Sequence, residues 1–164
     1  MPFDPQPVRL AGTHVLLEPL ERRHLPALQA AGAEVAFVVV RRADGRVVGS
    51  TRYLDLRRPH LSLEIGNTWL AKEAQRTAIN TETKLLLLTQ AFEALGAARV
   101  QLKTDERNAA SRAALLRIGC TFEGVHRRYQ ARHDGFLRNT AMFSLIAEEW
   151  PAAKARLEAR LARG

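Results

Sequence analysis

Hydrophobic and polar positions alternate along much of the first half of the chain, and this period of two predicts β-strands. The segment His14–Leu20 predicts a first strand. The β-branched runs Glu34–Arg41 and Arg46–Leu56 predict two more, and the Asp44-Gly45 pair between them is typical of a tight hairpin turn. These last two strands are therefore expected to pair antiparallel.

Two further features modify this alternating pattern. The segment His60–Leu70 alternates as a fourth strand, but Gly66 interrupts it. A glycine at such a point predicts a bulge or a close approach of another group to the backbone. Between the first two strands, Leu25 and Leu28 lie on a helical path that ends at Gly32, so we expect a short helix there.

The period changes to 3.6 in the second half of the chain. It predicts a helix over Thr81–Leu95, with Gly96 as its C-terminal stop and an apolar stripe of Leu85, Leu88, Phe92 and Leu95. A strand, a helix, a hairpin across Asp134-Gly135 and a closing helix then follow, over Arg99–Thr104, Asn108–Ile118, Phe122–Gln130 with Leu137–Ile146, and Ala147–Leu161. This order indicates an α/β or α+β fold with a mixed, mostly antiparallel sheet of about seven strands flanked by helices.

Length and composition are those of one globular domain. The 164 residues are 46% hydrophobic and 26% charged, which excludes disorder and coiled coil and predicts a single domain over 1–164. The longest apolar run, Val35–Val40, is too short to span a bilayer, and the first residues lack the features of a leader, so we expect a cytoplasmic protein. Cys120 is the only cysteine, which excludes an internal disulfide and a zinc knuckle.

The charge balance points to an anionic partner. The chain has 25 Lys and Arg residues against 17 Asp and Glu residues, a net charge of +8. Nucleic acid, a membrane surface and a small polyphosphate cofactor all fit this charge. The basic runs at Arg57-Arg58, His126–Arg128 and Arg132-His133 are either solvated turns or contacts to phosphate or ribosomal RNA. They lack interleaved aromatic residues, which disfavours a dedicated nucleic-acid reader.

The loop between the fourth strand and the long helix is a candidate anion site. It reads Gln75-Arg76-Thr77-Ala78-Ile79-Asn80. Free backbone N–H groups and the positive end of the helix dipole meet at such a point, and Arg76 and the Thr77 hydroxyl can add to them. The alternative is an ordinary cap in which Asn80 or Thr81 begins the helix and nothing binds. The loop matches neither the P-loop nor the dinucleotide-binding motif.

The order of these segments is recognisable. The chain reads EIGNTWL, then QRTAINTE, TKLLLLTQAFEALG, VQLKTDERNAASRAALLRIGCTFEG and a terminal SLIAEEWPAAKARLEARL. From about Leu10 to the C-terminus it resembles the GNAT superfamily of CoA-dependent N-acetyltransferases, and within it the RimJ/RimL branch that acetylates N-termini of ribosomal proteins. The resemblance implies the GNAT fold, with acetyl-CoA as cosubstrate and no metal.

The resemblance also implies a set of CoA-binding residues. A splayed strand would offer its backbone to the pantetheine arm at Trp69, Leu70 and Ala71. The loop would hold the pyrophosphate through Gln75, Arg76, Thr77, Ala78, Ile79 and Asn80. Two family glycine positions are filled here, by Ala78 and Asn80. The family asparagine that contacts the pantetheine arm corresponds to Asn108.

Candidate catalytic residues come from the same resemblance. Many family members carry a tyrosine acid where this chain has Leu115, while the RimL-like branch has a serine that corresponds to Ser111. We expect Ser111 to bind CoA and to hydrogen-bond the departing thiolate. Glu64 is the candidate base, acting directly or through water, with a structural pairing to an arginine as the alternative. Cys120 is expected in the core, because GNAT enzymes transfer the acetyl group without a covalent enzyme intermediate.

The resemblance implies an acetyl-CoA-dependent N-acetyltransferase that acts on a primary amine in a ternary complex. The acceptor is left open between protein N-termini, an aminoglycoside, an amino acid and a polyamine, the last disfavoured by the basic charge. A CoA-binding domain without catalysis and a basic ribosome- or RNA-binding module are the alternatives. Family members often form homodimers, but the sequence shows no interface.

One family segment is short in this chain. The resemblance implies a helix-turn-helix lid over the acceptor site between the first helix and the second strand. Here Leu28 leads almost directly to Glu34, so the lid region is shortened. Either the acceptor site is open or part of the chain is missing from the sequence.

Overall fold

The computed structural model describes residues 6–21 and 35–163. Within these residues, eight strands form one sheet in the order β1-β2-β3-β4-β5-β6-β8-β7. The strands are Leu10–Ala11 (β1), Val15–Pro19 (β2), Val35–Arg41 (β3), Val47–Arg57 (β4), Ser62–Leu70 (β5), Arg99–Asp105 (β6), Thr121–Ala131 (β7) and Leu137–Ile146 (β8). The helices are Ala78–Thr89 (α1), Ala109–Ile118 (α2) and Trp150–Leu161 (α3).

The strand pairing confirms the mixed, mostly antiparallel sheet. Every neighbouring pair is antiparallel except β5 with β6. The hairpin predicted at Asp44-Gly45 joins β3 to β4, and Gly45 has a φ of +68°, which its missing side chain permits. The sheet has eight strands rather than seven because Leu10–Ala11 adds a short strand that no periodic pattern marks.

The sheet opens between β5 and β6. Their parallel pairing covers only Ser62–Glu64 against Arg99–Gln101, and beyond these residues the two strands diverge. On its other edge β5 carries a bulge against β4, where Asn67 has a φ of +48°. The interruption predicted at Gly66 is thus confirmed. Gly66 itself is needed because a Cβ there would lie 2.7 Å from Oε1 of Glu64.

Helix α1 begins three residues before the predicted start at Thr81. Thr77 is its N-cap, since the Thr77 hydroxyl accepts a hydrogen bond from the Ile79 N–H at 3.3 Å and donates one to the Ala74 carbonyl at 2.8 Å. The expectation that Asn80 or Thr81 caps the helix is therefore wrong. After Thr89 the helix widens into one π-helical turn over Gln90–Ala94, and Gly96 ends it at a φ of +68°.

The other two helices form as predicted. Asn108 caps α2, and Gly119 ends it with a φ of +113°. Helix α3 follows one short 3₁₀ turn over Ala147–Glu149. The helices form a contiguous layer in which α3 contacts both α1 and α2. Because α2 also contacts β6, this layer sets the N-terminus of α2 beside the opened part of the sheet.

The core lies between this helix layer and the sheet. Aromatic rings anchor it: Phe92 stacks on Trp150 at a centroid distance of 5.4 Å, and Phe37 meets Tyr53 edge-on at 5.4 Å. The Tyr53 hydroxyl donates to the Leu87 carbonyl at 2.6 Å and so ties the sheet to α1. Burial raises the pKa of Tyr53 well above its ordinary value, so the hydroxyl stays a donor.

The predicted helix over Leu25–Gly32 and the shortened lid before Glu34 lie outside the described residues. In the part of the chain that the structure describes, no helix is long and apolar enough to cross a membrane.

Candidate active site

A cleft of about 800 Å³ lies where β5 and β6 diverge. Its size is that of a small-molecule site. Seven of the residues singled out in the sequence line it: Glu64, Leu70, Gln75, Arg76, Asn80, Asn108 and Ser111. Three others, Thr77, Ala78 and Ile79, face a neighbouring depression with His14 and Arg42. Trp69 and Ala71 line neither cavity.

The N-terminus of α1 forms one wall of the cleft. Asn80 lies in the first helical turn and faces the cleft, and Arg76 is exposed beside it with a φ of +61°. Gln75 closes the loop, because its Nε2 donates to the Leu70 carbonyl at 3.0 Å. The Thr77 hydroxyl is occupied as a cap. The helix end and Arg76 therefore supply the positive charge at this wall, and the Thr77 hydroxyl is already engaged in the cap.

The strand segment expected to bind an extended ligand is only partly free. The side chain of Trp69 is 53% exposed, and Leu70 faces the cleft. Both backbone groups of Ala71 already have partners: its N–H donates to the Val48 carbonyl at 2.8 Å, and its carbonyl accepts from the Ala74 N–H at 2.9 Å. Ala71 therefore offers no free backbone group, and the Leu70 carbonyl is already held by Gln75, so an extended ligand would lie along the edge of β5 that no longer pairs with β6.

The N-terminus of α2 forms the opposite wall. Asn108 Oδ1 accepts a hydrogen bond from the Ser111 N–H at 2.9 Å, so this asparagine holds the first turn of α2 in place. Ser111 is half-buried and faces the cleft. Two helix N-termini thus point their positive ends toward one space, an arrangement that favours an anionic ligand.

Glu64 lies at the closed end of the cleft, where β5 and β6 still pair. Its side chain is buried, and Oε2 lies 2.9 Å from Nζ of Lys103 and 3.2 Å from Nε2 of Gln101. The expected structural partner, an arginine, is a lysine instead. Among the described residues that line the cleft, Glu64 is the only carboxylate. It is therefore the one acidic group there that can take a proton from an amine.

The other charged side chains that the structure describes in the lining are all basic. Arg76, Lys84, Lys103 and Arg138 face the cleft together with the single carboxylate of Glu64. Lys103 also lies over the ring of Tyr129, with Nζ 5.3 Å from the centroid. This excess of positive charge in a concave space attracts polyanions.

Lys84 and Thr68 are among the lining residues that the sequence analysis did not single out. Lys84 lies within α1 at a buried position, and its Nζ donates to Thr68 Oγ1 at 2.7 Å. A signal was present in the sequence: Lys84 is three and four residues before Leu87 and Leu88, so it falls on the buried stripe of the helix. A charge at such a position indicates either a salt bridge or a function.

Comparison with known proteins decides the family. A model of the acetyltransferase (GNAT) domain matches residues 1–121, which is most of the chain. The chain belongs to the GNAT acetyltransferase family. It is also 33% identical over 111 residues to a Bacillus subtilis protein provisionally named ribosomal N-acetyltransferase YdaF. That match covers 68% of this chain and 60% of YdaF, so the chain spans less than two thirds of this relative.

Solved GNAT structures have the same fold. One of them, provisionally named an acetyltransferase, from T. thermophilus, is 36% identical, with a TM-score of 0.85 over 96% of this chain and 98% of the other. Mycobacterium smegmatis RimJ, solved in complex with CoA-disulfide, has a TM-score of 0.79 at 22% identity, over 94% of this chain and 95% of the other. The GNAT fold, expected from the sequence, is confirmed.

The GNAT family uses acetyl-CoA, and the cleft of this GNAT domain fits that ligand. Two helix N-termini and Arg76 suit the pyrophosphate, and the opened edge of β5 suits an extended arm. Cys120 takes no part in such a site: its side chain is buried, and burial raises the pKa of the thiol to about 12. A thiol that is protonated and inaccessible is not a nucleophile.

Proposed function

We propose that this protein is an acetyl-CoA-dependent N-acetyltransferase that moves the acetyl group directly onto a primary amine. The observation that carries the proposal is the position of Glu64, a single buried carboxylate at the closed end of a cationic cleft. The cationic walls attract CoA, and the carboxylate accepts the proton of the amine. Attack and proton removal are thereby brought into one space.

The reaction that this arrangement supports is a direct transfer of the acetyl group from sulfur to nitrogen. The neutral amine attacks the thioester carbon, so a C–N bond forms and the C–S bond breaks. The amine proton passes to Glu64, directly or through water, and the CoA thiolate leaves with the electron pair of the broken bond. Ser111, at the first turn of α2, donates a hydrogen bond to that thiolate until it takes a proton from solvent. Lys103 holds the Glu64 carboxylate in place throughout.

Two measurements test the proposal. Calorimetric titration with acetyl-CoA and with CoA is expected to show micromolar binding, and an assay of thiol release with a panel of amines is expected to show turnover. Replacing Glu64 by Gln keeps the shape but removes the base, so kcat should fall about 10²- to 10⁴-fold while acetyl-CoA still binds. The matched control is Glu158→Gln, at an exposed position of α3. Equal kcat values in both variants would rule out Glu64 as the base.

The acceptor class follows from the charge of the cleft. Four cationic side chains repel polyamines, which carry several positive charges, whereas the N-terminus of a peptide presents a single amine. N-terminal peptides of ribosomal proteins are therefore the first acceptors to assay, in agreement with the name of YdaF. Aminoglycosides and free amino acids complete the panel. Faster turnover of spermidine than of any peptide would contradict this choice.

One observation favours a second candidate, a GNAT domain that binds CoA without catalysis. Glu64 is held by Lys103 and Gln101, and the family position of the tyrosine acid is Leu115. Such a domain would bind CoA as tightly as acetyl-CoA and release no thiol with any amine. The thiol-release assay separates the two functions, because only the enzyme shows a rate that depends on amine concentration.

A further inference from the structure

Lys84 has no evident structural reason to be a lysine. Its side chain is 5% exposed and lies on the buried stripe of α1. Among the described residues no carboxylate lies within salt-bridge distance of Nζ, and the recorded hydrogen bond of Nζ is the one to Thr68 Oγ1 at 2.7 Å. A buried ammonium without a counter-charge destabilises a fold, and methionine would fill the same space without that cost.

The ammonium group is nevertheless charged at neutral pH. Burial lowers the pKa of Lys84 to about 8, and the neighbouring Cys120 opposes that change. The positive charge therefore persists at the floor of the cleft, which Lys84 lines together with Thr68.

Hydrogen-bond directions around Thr68 follow from its partners. The Lys84 ammonium can only donate, so Thr68 Oγ1 accepts from it. Thr51 is completely buried, and Thr68 Oγ1, at 2.9 Å, is the recorded partner of its hydroxyl within the described residues. A buried hydroxyl proton needs an acceptor, so Thr51 donates to Thr68. Both lone pairs of Thr68 Oγ1 are then used, and its own proton is left to point into the cleft.

The position of Thr68 on β5 shows what that proton can meet. Thr68 is exposed and stands between the bulge residue Asn67 and Trp69, in the part of β5 that no longer pairs with β6. An extended ligand can lie along this unpaired edge of β5. A donor that is polarised by a buried charge at this point faces the acyl end of a ligand lying along β5.

We propose that the Thr68 hydroxyl donates a hydrogen bond to the thioester carbonyl oxygen of acetyl-CoA, and that Lys84 is the positioning residue that orients and polarises this hydroxyl. The inference rests on the proposed function. Neither residue transfers a proton. The C–N bond still forms and the C–S bond still breaks as described above, and the pair stabilises the negative charge that develops on the carbonyl oxygen in between.

Infrared spectroscopy of acetyl-CoA labelled with ¹³C at the carbonyl tests this contact without any acceptor. A hydrogen bond to the carbonyl lowers its stretching frequency, so the wild-type complex should absorb at lower frequency than free acetyl-CoA. The shift should be reduced in Thr68→Val and in Lys84→Met. A stretch that is the same in the wild type and in both variants overturns the inference.

Kinetics provide the second test. We expect Thr68→Val and Lys84→Met each to lower kcat about 10- to 100-fold, with less than about a threefold change in the acetyl-CoA Kd. Thr68→Ser keeps the hydroxyl and should restore the rate. Lys154→Met is the matched control on α3, and its kcat should equal that of the wild type. An unchanged kcat in Thr68→Val overturns the inference, and so does a Thr68→Ser variant that folds like the wild type but is as slow as Thr68→Val.

The two proposals fail in different ways. Absence of acetyl-CoA binding by the wild type overturns the proposed function and this inference together. Binding by the wild type with identical carbonyl spectra in all variants overturns the role of Thr68 and Lys84 alone.

Discussion

At the scale of the residue, the protein buries charge in two contrasting ways. Glu82 is buried on α1, but its carboxylate accepts backbone N–H groups of Thr13, His14 and Val15 at 2.6 to 2.7 Å. Lys84, further along the same helix, has a single hydroxyl partner at 2.7 Å. Three backbone N–H groups replace the water that would hydrate the Glu82 carboxylate, whereas one hydroxyl is recorded against the Lys84 ammonium among the described residues.

Glu82 is expected to be a major contributor to stability. Glu82→Ala leaves three N–H groups of the turn before β2 without their acceptor, which should lower the free energy of unfolding by about 3 to 5 kcal/mol. Urea unfolding at pH 7 measures this loss of stability, and Glu158→Ala, at an exposed position of α3, is the control. Glu82→Gln keeps one carbonyl oxygen and should fall between the two. A loss no larger than that of the control would contradict this role.

Lys84→Met is expected to have the opposite effect at neutral pH. Since the pKa of Lys84 is about 8 in the folded state and 10.5 unfolded, the unfolded chain binds the proton more tightly. The cost of the buried charge is complete below pH 8 and disappears as the pH rises to 10.5. At pH 7 the variant should be more stable by on the order of 3 kcal/mol.

Urea titrations of the wild type and of Lys84→Met at pH 7, 9 and 10.5 check this sign. The stability difference should be largest at pH 7 and should shrink at each step. A difference that grows with pH would show that the lysine is stabilised as an ammonium. Together with a loss of kcat, a gain in stability would identify Lys84 as a residue kept for activity.

At the scale of the element, the sequence predicts each α-helix and each strand of the described chain except β1, and it misses mainly their boundaries. Period-two runs and the turn at Gly45 fix the strands, because those signals are local. The sequence places the start of α1 three residues late because the cap is Thr77, a residue that interrupts no apolar pattern. No sequence signal marks the π-helical turn over Gln90–Ala94, which carries Phe92 against Trp150.

The candidate site is predictable only in part for the same reason. Glu64, Asn80, Asn108 and Ser111 follow from the resemblance to the GNAT family, and the structure brings them to one cleft. The pairing of Glu64 with a lysine on β6, and the contact of α1 with Thr68, join residues distant in sequence. Such contacts depend on strand order and helix docking, which periodicity does not encode.

The N-cap of α1 separates stability from ligand binding. Thr77→Asp retains a good cap and adds a negative charge where the helix dipole is positive, so thermal stability should not fall. If this helix end holds the pyrophosphate as proposed, the same charge should weaken CoA binding at least about tenfold. Thr77→Asn is the neutral capping control and should bind CoA like the wild type. Equal CoA affinity in both variants would show that no phosphate of CoA binds at this helix end.

At the scale of the whole molecule, the net charge of +8 acts together with the cationic cleft. Binding of acetyl-CoA should weaken severalfold between about 50 and 300 mM salt, because salt screens the attraction between the basic side chains and the phosphates. Dephospho-CoA, which has fewer phosphate charges, should show a shallower dependence in the same titration. Parallel slopes for the two ligands would place the 3′-phosphate away from the basic residues.

The opening between β5 and β6 also divides the sheet into two panels. Five strands on one side and three on the other meet through the three residue pairs of Ser62–Glu64 with Arg99–Gln101. Glu64 sits on this short seam, and a ligand in the cleft spans both panels. A cosubstrate bound in the cleft would therefore connect the two parts of the sheet at the place where only three residue pairs join them. Amide hydrogens along the unpaired stretches of β5 and β6 should exchange slowly only while the cosubstrate is bound.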